Sequence, residues 1–182
     1  MSGWRRFLAT NDSLGPLLLR LTLGLVMFAH GAQKVLGWFG GGGVQATFAA
    51  FEQSYGLPPA LTVLPMAAEL GGGILLIVGA FTRLAAFGIG FNMLVAVVVG
   101  GHMANGFFMN WTGNQPGEGS EFHILAIGMA GALMVLGAGA ASVDRSLSHR
   151  DEERVVTRPA TVDGPTTTTA PAPREPAGAG RR

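Results

Sequence analysis

Residues Leu14–Leu36 read LGPLLLRLTLGLVMFAHGAQKVL, and the reading of this stretch decides the fold. The run is apolar apart from Arg20 near its start and His30, Gln33 and Lys34 near its end. As a helix it extends about 34 Å, enough to cross the roughly 30 Å hydrocarbon core of a bilayer. His30 and Lys34 stand four residues apart and therefore share one helix face. A soluble core has no use for such a segment, whereas a membrane protein with a polar site near one surface does. Arg20, close to the start of the span, is expected to snorkel to the nearer surface. Arg5 and Arg6 ahead of an apolar run also suggest a secretory signal peptide, but the run is too long for one, Arg20 interrupts it and more apolar segments follow.

Composition agrees with a membrane protein. Of 182 residues, 48% are hydrophobic and 13% charged, about half the charge of a typical soluble domain. The 29 glycines fall mostly within apolar runs, where small residues let helices approach closely. The net charge is +1 and no basic patch alternates with aromatics, so no nucleic-acid partner is expected. The chain has no cysteine. Disulfides, thiolate metal sites, Fe–S clusters and dithiol redox chemistry are thereby excluded from this chain, and a redox role would need a bound cofactor or a partner protein.

Outward from Leu36, Gly40–Gly43 breaks the helix. Val44, Phe48, Phe51 and Tyr55 then fall on one helical stripe too short to span, which predicts an interfacial helix. Pro58-Pro59 opens a second span, about Pro59 to Phe81, carrying Glu69, Gly72 and Gly73. The very short link at Thr82-Arg83 makes the next span, about Leu84 to Met103, its antiparallel neighbour. Asn92 lies within that span, where it reads as interhelical glue, and His102 lies at its end. A loop from Ala104 to Ser120 follows, and Phe107, Phe108 and Trp111 there, with Trp38 and Phe39, suit an interfacial belt. A fourth span, about Glu121 to Ala141, opens with Glu121 and His123, with Ser120 as its expected N-cap. The expected organisation is an N-terminal segment (1–13), a four-transmembrane-helix all-α bundle (14–144) and a tail (145–182). The tail turns Thr/Pro/Ala-rich from Thr157 and is expected to be disordered.

Lys and Arg flank the same ends of these spans, at Arg5, Arg6, Arg83, Arg145, Arg150, Arg154 and Arg158, and the Ala104–Ser120 loop has neither. The bias predicts both termini in the cytoplasm of a bacterial inner membrane. The remaining polar residues then gather in the outer half. His30 lies about 24 Å along the first span, Glu69 about 15 Å into the second from its outer start, and His102, Glu121 and His123 lie at outer helix ends. The inner half reads as nearly bare. A carboxylate at mid-span costs roughly 2.5–3.5 kcal/mol on insertion scales, so Glu69 should face the bundle, paired or protonated, with Lys34 and the histidines as candidate partners. Gly72 and Gly73 would let a helix or a flat ligand approach beside it, and Pro65 removes a backbone donor one turn earlier. Glu69 reads either as a structural, hydrogen-bonded glutamate or as a ligand or proton site. No spacing forms a metal signature, and no metal is assigned.

These residues carry a resemblance. His30-Gly31-Ala32-Gln33-Lys34-Val35-Leu36, Ala68-Glu69-Leu70-Gly71-Gly72-Gly73, the turn Gly79-Ala80-Phe81-Thr82-Arg83-Leu84-Ala85-Ala86, Glu121 opening the last helix and Gly137–Asp144 closing it resemble the DoxX family of small four-helix membrane proteins. The resemblance covers about Leu14 to Asp144. It implies a four-helix bundle and an association with thiosulfate:quinone oxidoreduction or with membrane redox and oxidative-stress complexes. The chain departs in having Ala138 where the family often has proline, and in lacking the paired cysteines of some redox-associated relatives, so thiol–disulfide chemistry does not carry over.

Two readings of function follow. In the first, the outer half of the bundle holds a quinone-type or other small-molecule pocket, with Glu69, His30, Lys34, His102, His123 and Glu121 as its polar residues and a soluble or membrane redox partner; any enzyme activity would be as part of a quinone-linked oxidoreductase. In the second, the protein is a non-enzymatic membrane anchor or scaffold subunit of a redox or stress-response complex. A transporter or channel is disfavoured because four helices make a narrow bundle unless it forms a homo-oligomer.

Overall fold

The computed structural model describes Leu8, Thr10 and residues 12–148. Most of the expected N-terminal segment and nearly all of the expected disordered tail lie outside the described residues. Five helices account for most of the rest: α1 (Leu14–Leu36), α2 (Gly43–Tyr55), α3 (Pro59–Val78), α4 (Thr82–Val99) and α5 (Glu121–Leu136). There is no strand among the described residues. α1, α3 and α4 are long and apolar enough to cross a membrane; α5 is apolar but shorter, at 16 residues. With α2 as a short helix between the first two spans, this is an all-helical four-helix membrane bundle.

Local chemistry sets the helix limits. The Ser13 hydroxyl accepts from the Gly15 amide, 3.4 Å, at the start of α1, and Pro59 opens α3, where a missing N–H costs nothing. α3 stops at Gly79, which takes a left-handed φ of 68°. A Cβ there would lie 2.5 Å from Ser142 Cβ, so glycine is required by both backbone and space. α5 stops at Leu136 rather than near Ala141 because Gly137 leaves the helical region (φ 79°, ψ −160°). Ser120 precedes α5 but is itself in the αR region, and its hydroxyl donates to Gly106 O at 3.4 Å instead of capping the helix.

α1 packs most extensively on α3, α4 on α5, and α2 lies across the ends of α1 and α3. Glycines bring α1 and α3 together: a Cβ on Gly31 would lie 2.3 Å from Leu70 N, and one on Gly73 would lie 2.6 Å from Phe28 N. A Cβ on Gly72 would lie 3.1 Å from the Ile89 side chain of α4. The space beside these two glycines is therefore filled by neighbouring helices. Met27, Leu76, Ala86, Ile89 and Leu133 form the fully buried centre.

The bundle has two unlike ends. At the turn end, α1 begins, α3 joins α4 and α5 finishes. Here the expectation of a bare half with a snorkelling arginine is overturned. Arg20 is 1% exposed and donates all five of its N–H groups to backbone carbonyls. Nε reaches Ala138 O (3.0 Å), Nη1 reaches Leu76 O (3.0 Å) and Ile77 O (2.6 Å), and Nη2 reaches Ala140 O (3.1 Å) and Ala141 O (2.5 Å). The physical reason is local supply. α3 ends at the depth of Arg20, where Ile77 O and the second lone pair of Leu76 O, whose first accepts from Gly79 N, are open to it, and the irregular stretch after α5 presents three more carbonyls. Asp144 complements this from the opposite sign, its two oxygens accepting from Phe81 N (2.7 Å) and Thr82 N (2.9 Å) at the start of α4. Arg83 Nε donates to Met134 O (3.0 Å), and Thr10 Oγ1 accepts from Gly139 N (2.7 Å).

Candidate functional site

At the opposite, loop end the polar groups surround space. Glu69 is the eleventh residue of α3, so its side chain leaves the helix near mid-span, and it is 4% exposed. Lys34, in the last turn of α1, donates to Glu69 Oε2 in an ion pair. Asn92 Nδ2, from α4, donates to Oε1 at 3.3 Å. Both carboxylate oxygens are thus held from two neighbouring helices, which offsets the cost of a charge at this depth. The register follows from the tight turn: Glu69 lies eleven residues before Ala80 and Asn92 eleven after Phe81. That symmetry is the sequence signal that could have placed Asn92 beside Glu69 and assigned it to the site.

A cavity of about 780 Å³ opens against this pair. His30, Lys34, Glu69, His102 and His123 all line it, so five of the six residues singled out from sequence come together. Glu121 does not line it. Its Oε2 accepts from Met109 N (3.1 Å) and its own amide donates to Phe107 O (2.8 Å), so it fastens the loop after α4 to the start of α5. Asn92 and Glu118 line the cavity and were not among the sequence candidates. Glu118 sits in a loop whose path no periodicity reveals.

The rings of the loop end touch in series. His30 lies 5.6 Å from Phe122, Phe122 lies 5.6 Å from His123, and His123 lies 4.2 Å from His102, centroid to centroid. His102 Nδ1 is 2.9 Å from Glu118 O, which takes it away from the Glu69 pair. His123 is 8% exposed, and its Nδ1 has no hydrogen-bond partner. That nitrogen is enclosed by its neighbours and does not itself reach the cavity. α2 forms the roof, with Phe51 and Tyr55 facing the cavity. Thr47 Oγ1 donates to Lys34 O at 3.0 Å and ties that roof to α1. Most of the wall is aliphatic or aromatic, with polar groups contributed by α1, α3, α4, α5 and the loop after α4. Trp38, Phe39, Phe107, Phe108 and Trp111 are exposed at this end, as suits a headgroup region. Among the described residues no group of three His, Asp or Glu side chains converges as a metal site.

The arrangement can hold the polar head of an amphipathic molecule. It offers an ammonium and an amide as donors, imidazoles as donors or acceptors, and a carboxylate that can take up a proton if its lysine partner turns to a ligand. No curated protein and no solved structure matches the chain. A family model, described as DoxX, matches residues 15–103, which include His30, Lys34, Glu69, Asn92 and His102. Taken with the apolar four-helix bundle, the match means that the chain is a membrane protein of the DoxX family.

Proposed function

We propose that the loop-end cavity binds a quinone-type molecule and that the protein serves a redox-associated membrane complex. The observation that carries this reading is a Lys34–Glu69 pair, its carboxylate buried and its lysine half-buried, facing a cavity of about 780 Å³ whose walls are otherwise largely apolar, within the size range of small-molecule sites. A structural ion pair needs no cavity beside it, and an apolar void needs no ion pair. When bound, a quinone would supply two-electron, two-proton redox chemistry. Lys34 would donate a hydrogen bond to a carbonyl oxygen of the head group. Glu69, released from Lys34, would hold or pass a proton, and His30, His123 and His102 would hydrogen-bond the head and connect it to the loop end. Electrons would come from a soluble or membrane partner protein, because a chain with no cysteine holds no dithiol or Fe–S centre of its own. The Lys/Arg bias favours a bacterial inner membrane with both termini in the cytoplasm and the cavity in the outer half.

The test is binding of decylubiquinone to the protein in nanodiscs. Glu69→Gln should weaken it about tenfold or more while the protein still inserts. Unchanged affinity would overturn the reading. The exposed aromatic loop around Phe108 and Trp111 favours the second reading, an anchor for a partner protein. Stoichiometric capture of a partner with no quinone bound would support that one instead.

A further inference from the structure

We infer that the cavity opens sideways into the bilayer between α3 and α4, and that its ligand is a chain-bearing lipid whose tail lies in that cleft, an isoprenoid quinone rather than a water-soluble redox molecule. The inference rests on the quinone-type reading of the cavity and adds the route and the shape of what binds.

The α3–α4 hairpin is closed for half its length and open for the other half. From the turn upward the helices pack together: a Cβ on Gly72 would lie 3.1 Å from the Ile89 side chain, and the Glu69–Asn92 hydrogen bond, 3.3 Å, lies one turn higher. Above that level, residues that the antiparallel register would set against each other line the same cavity instead. These are Leu61, Leu64 and Pro65 on α3, and Val95, Ala96 and Val99 on α4. The cavity itself therefore separates the two helices. Pro65 sits where they part. It has no N–H for the Leu61 carbonyl, and a proline inside a helix bends it.

The chemistry of the cleft is one-sided. All six of these residues are apolar, and Leu64 and Val99 are 64% and 51% exposed, on helices read as crossing the bilayer. The polar groups lie deeper, at Lys34 and His30 on α1 and at Glu69 and Asn92 where the hairpin closes, and at the loop end with His102, Glu118 and His123. A solute arriving from water would need polar groups along its path, and this route has none. A lipid-soluble molecule would meet apolar side chains first and the Lys34–Glu69–Asn92 cluster last, which orients it head inward and tail outward.

The natural chain has no cysteine, so Leu61→Cys with Val99→Cys creates a unique thiol pair across the cleft. The full-length double variant in nanodiscs is bridged with a bismaleimide, and a portion is capped with N-ethylmaleimide as the unbridged control. The probes are decylubiquinone and its tail-less head group, 2,3-dimethoxy-5-methyl-1,4-benzoquinone. Bridging should slow association of the tailed quinone about tenfold or more relative to the capped control, with the tail-less quinone changed less than about twofold. Equal association of the tailed quinone in bridged and capped protein would overturn the lateral route while leaving the cavity as a quinone site. Failure of both probes to bind the capped protein and the wild type would overturn the quinone reading, and this inference with it.

Discussion

The two ends of the bundle handle buried charge in opposite ways. At the turn end Arg20 and Asp144 are as deeply buried as Glu69, yet every bond they make ends on backbone: five carbonyls for the guanidinium and two amides for the carboxylate. The helix termini there are sealed by these bonds. At the loop end Glu69 is held by the side chains of Lys34 and Asn92, and this cluster lines a cavity. Burial of a charge thus does not identify a site. Its partners and surroundings do: a charged group fastened to main chain at helix termini is structural, and one paired to another side chain beside a cavity can exchange that partner for a ligand.

Substitutions at the two ends should separate these roles. The largest effect is expected for Arg20→Met, which removes the guanidinium donors from the carbonyls of Leu76, Ile77, Ala138, Ala140 and Ala141. A loss of about 3–5 kcal/mol is expected, read as aggregation in size-exclusion chromatography or a large fall in Tm. Arg20→Lys should rescue little, because an ammonium offers three donors with no planar fork. Asp144→Ala should cost about 1–2 kcal/mol through the uncapped Phe81 and Thr82 amides, again read by thermal unfolding, with quinone binding retained in the folded fraction.

The loop end should show the reverse pattern. Lys34→Met alone leaves Glu69 buried without its cation and should destabilise the protein. The double variant Lys34→Met, Glu69→Leu should return to within about 1 kcal/mol of wild type, since apolar pairs often replace buried ion pairs without loss. It should nonetheless lose ligand binding. A double variant that binds quinone normally would assign the pair to structure. The smallest effect is expected for Glu121→Gln, which perturbs a loop contact by about 0.5–1 kcal/mol and should leave binding unchanged, because Glu121 does not line the cavity.

Much of this was legible in the residues. Leu14–Leu36 has the limits its apolar run defines, the Thr82-Arg83 link forces an antiparallel hairpin, and the cost of a mid-span carboxylate requires a partner for Glu69, which Lys34 supplies. The role of Arg20 was hidden because its partners are main-chain carbonyls as many as 121 positions away, and a carbonyl carries no residue identity for a pattern to register. The same holds for the early stop of α5, set by how residues 137–141 turn toward Arg20. Glu121 and His123 look alike from sequence, polar residues two apart at a helix start. Each residue advances about 100° around a helix, so the two point roughly 200° apart, and the loop from Ala104 to Ser120, which no periodicity describes, takes up Glu121 and leaves His123 against the cavity.

The most direct test of the account is the quinone content of wild-type protein and of the Lys34→Met, Glu69→Leu variant, each purified gently in native lipid and measured by mass spectrometry after solvent extraction. The account predicts stoichiometric quinone in the wild type and its loss from a variant that melts at nearly the same temperature. Equal quinone in the two proteins, or none in either, would contradict it.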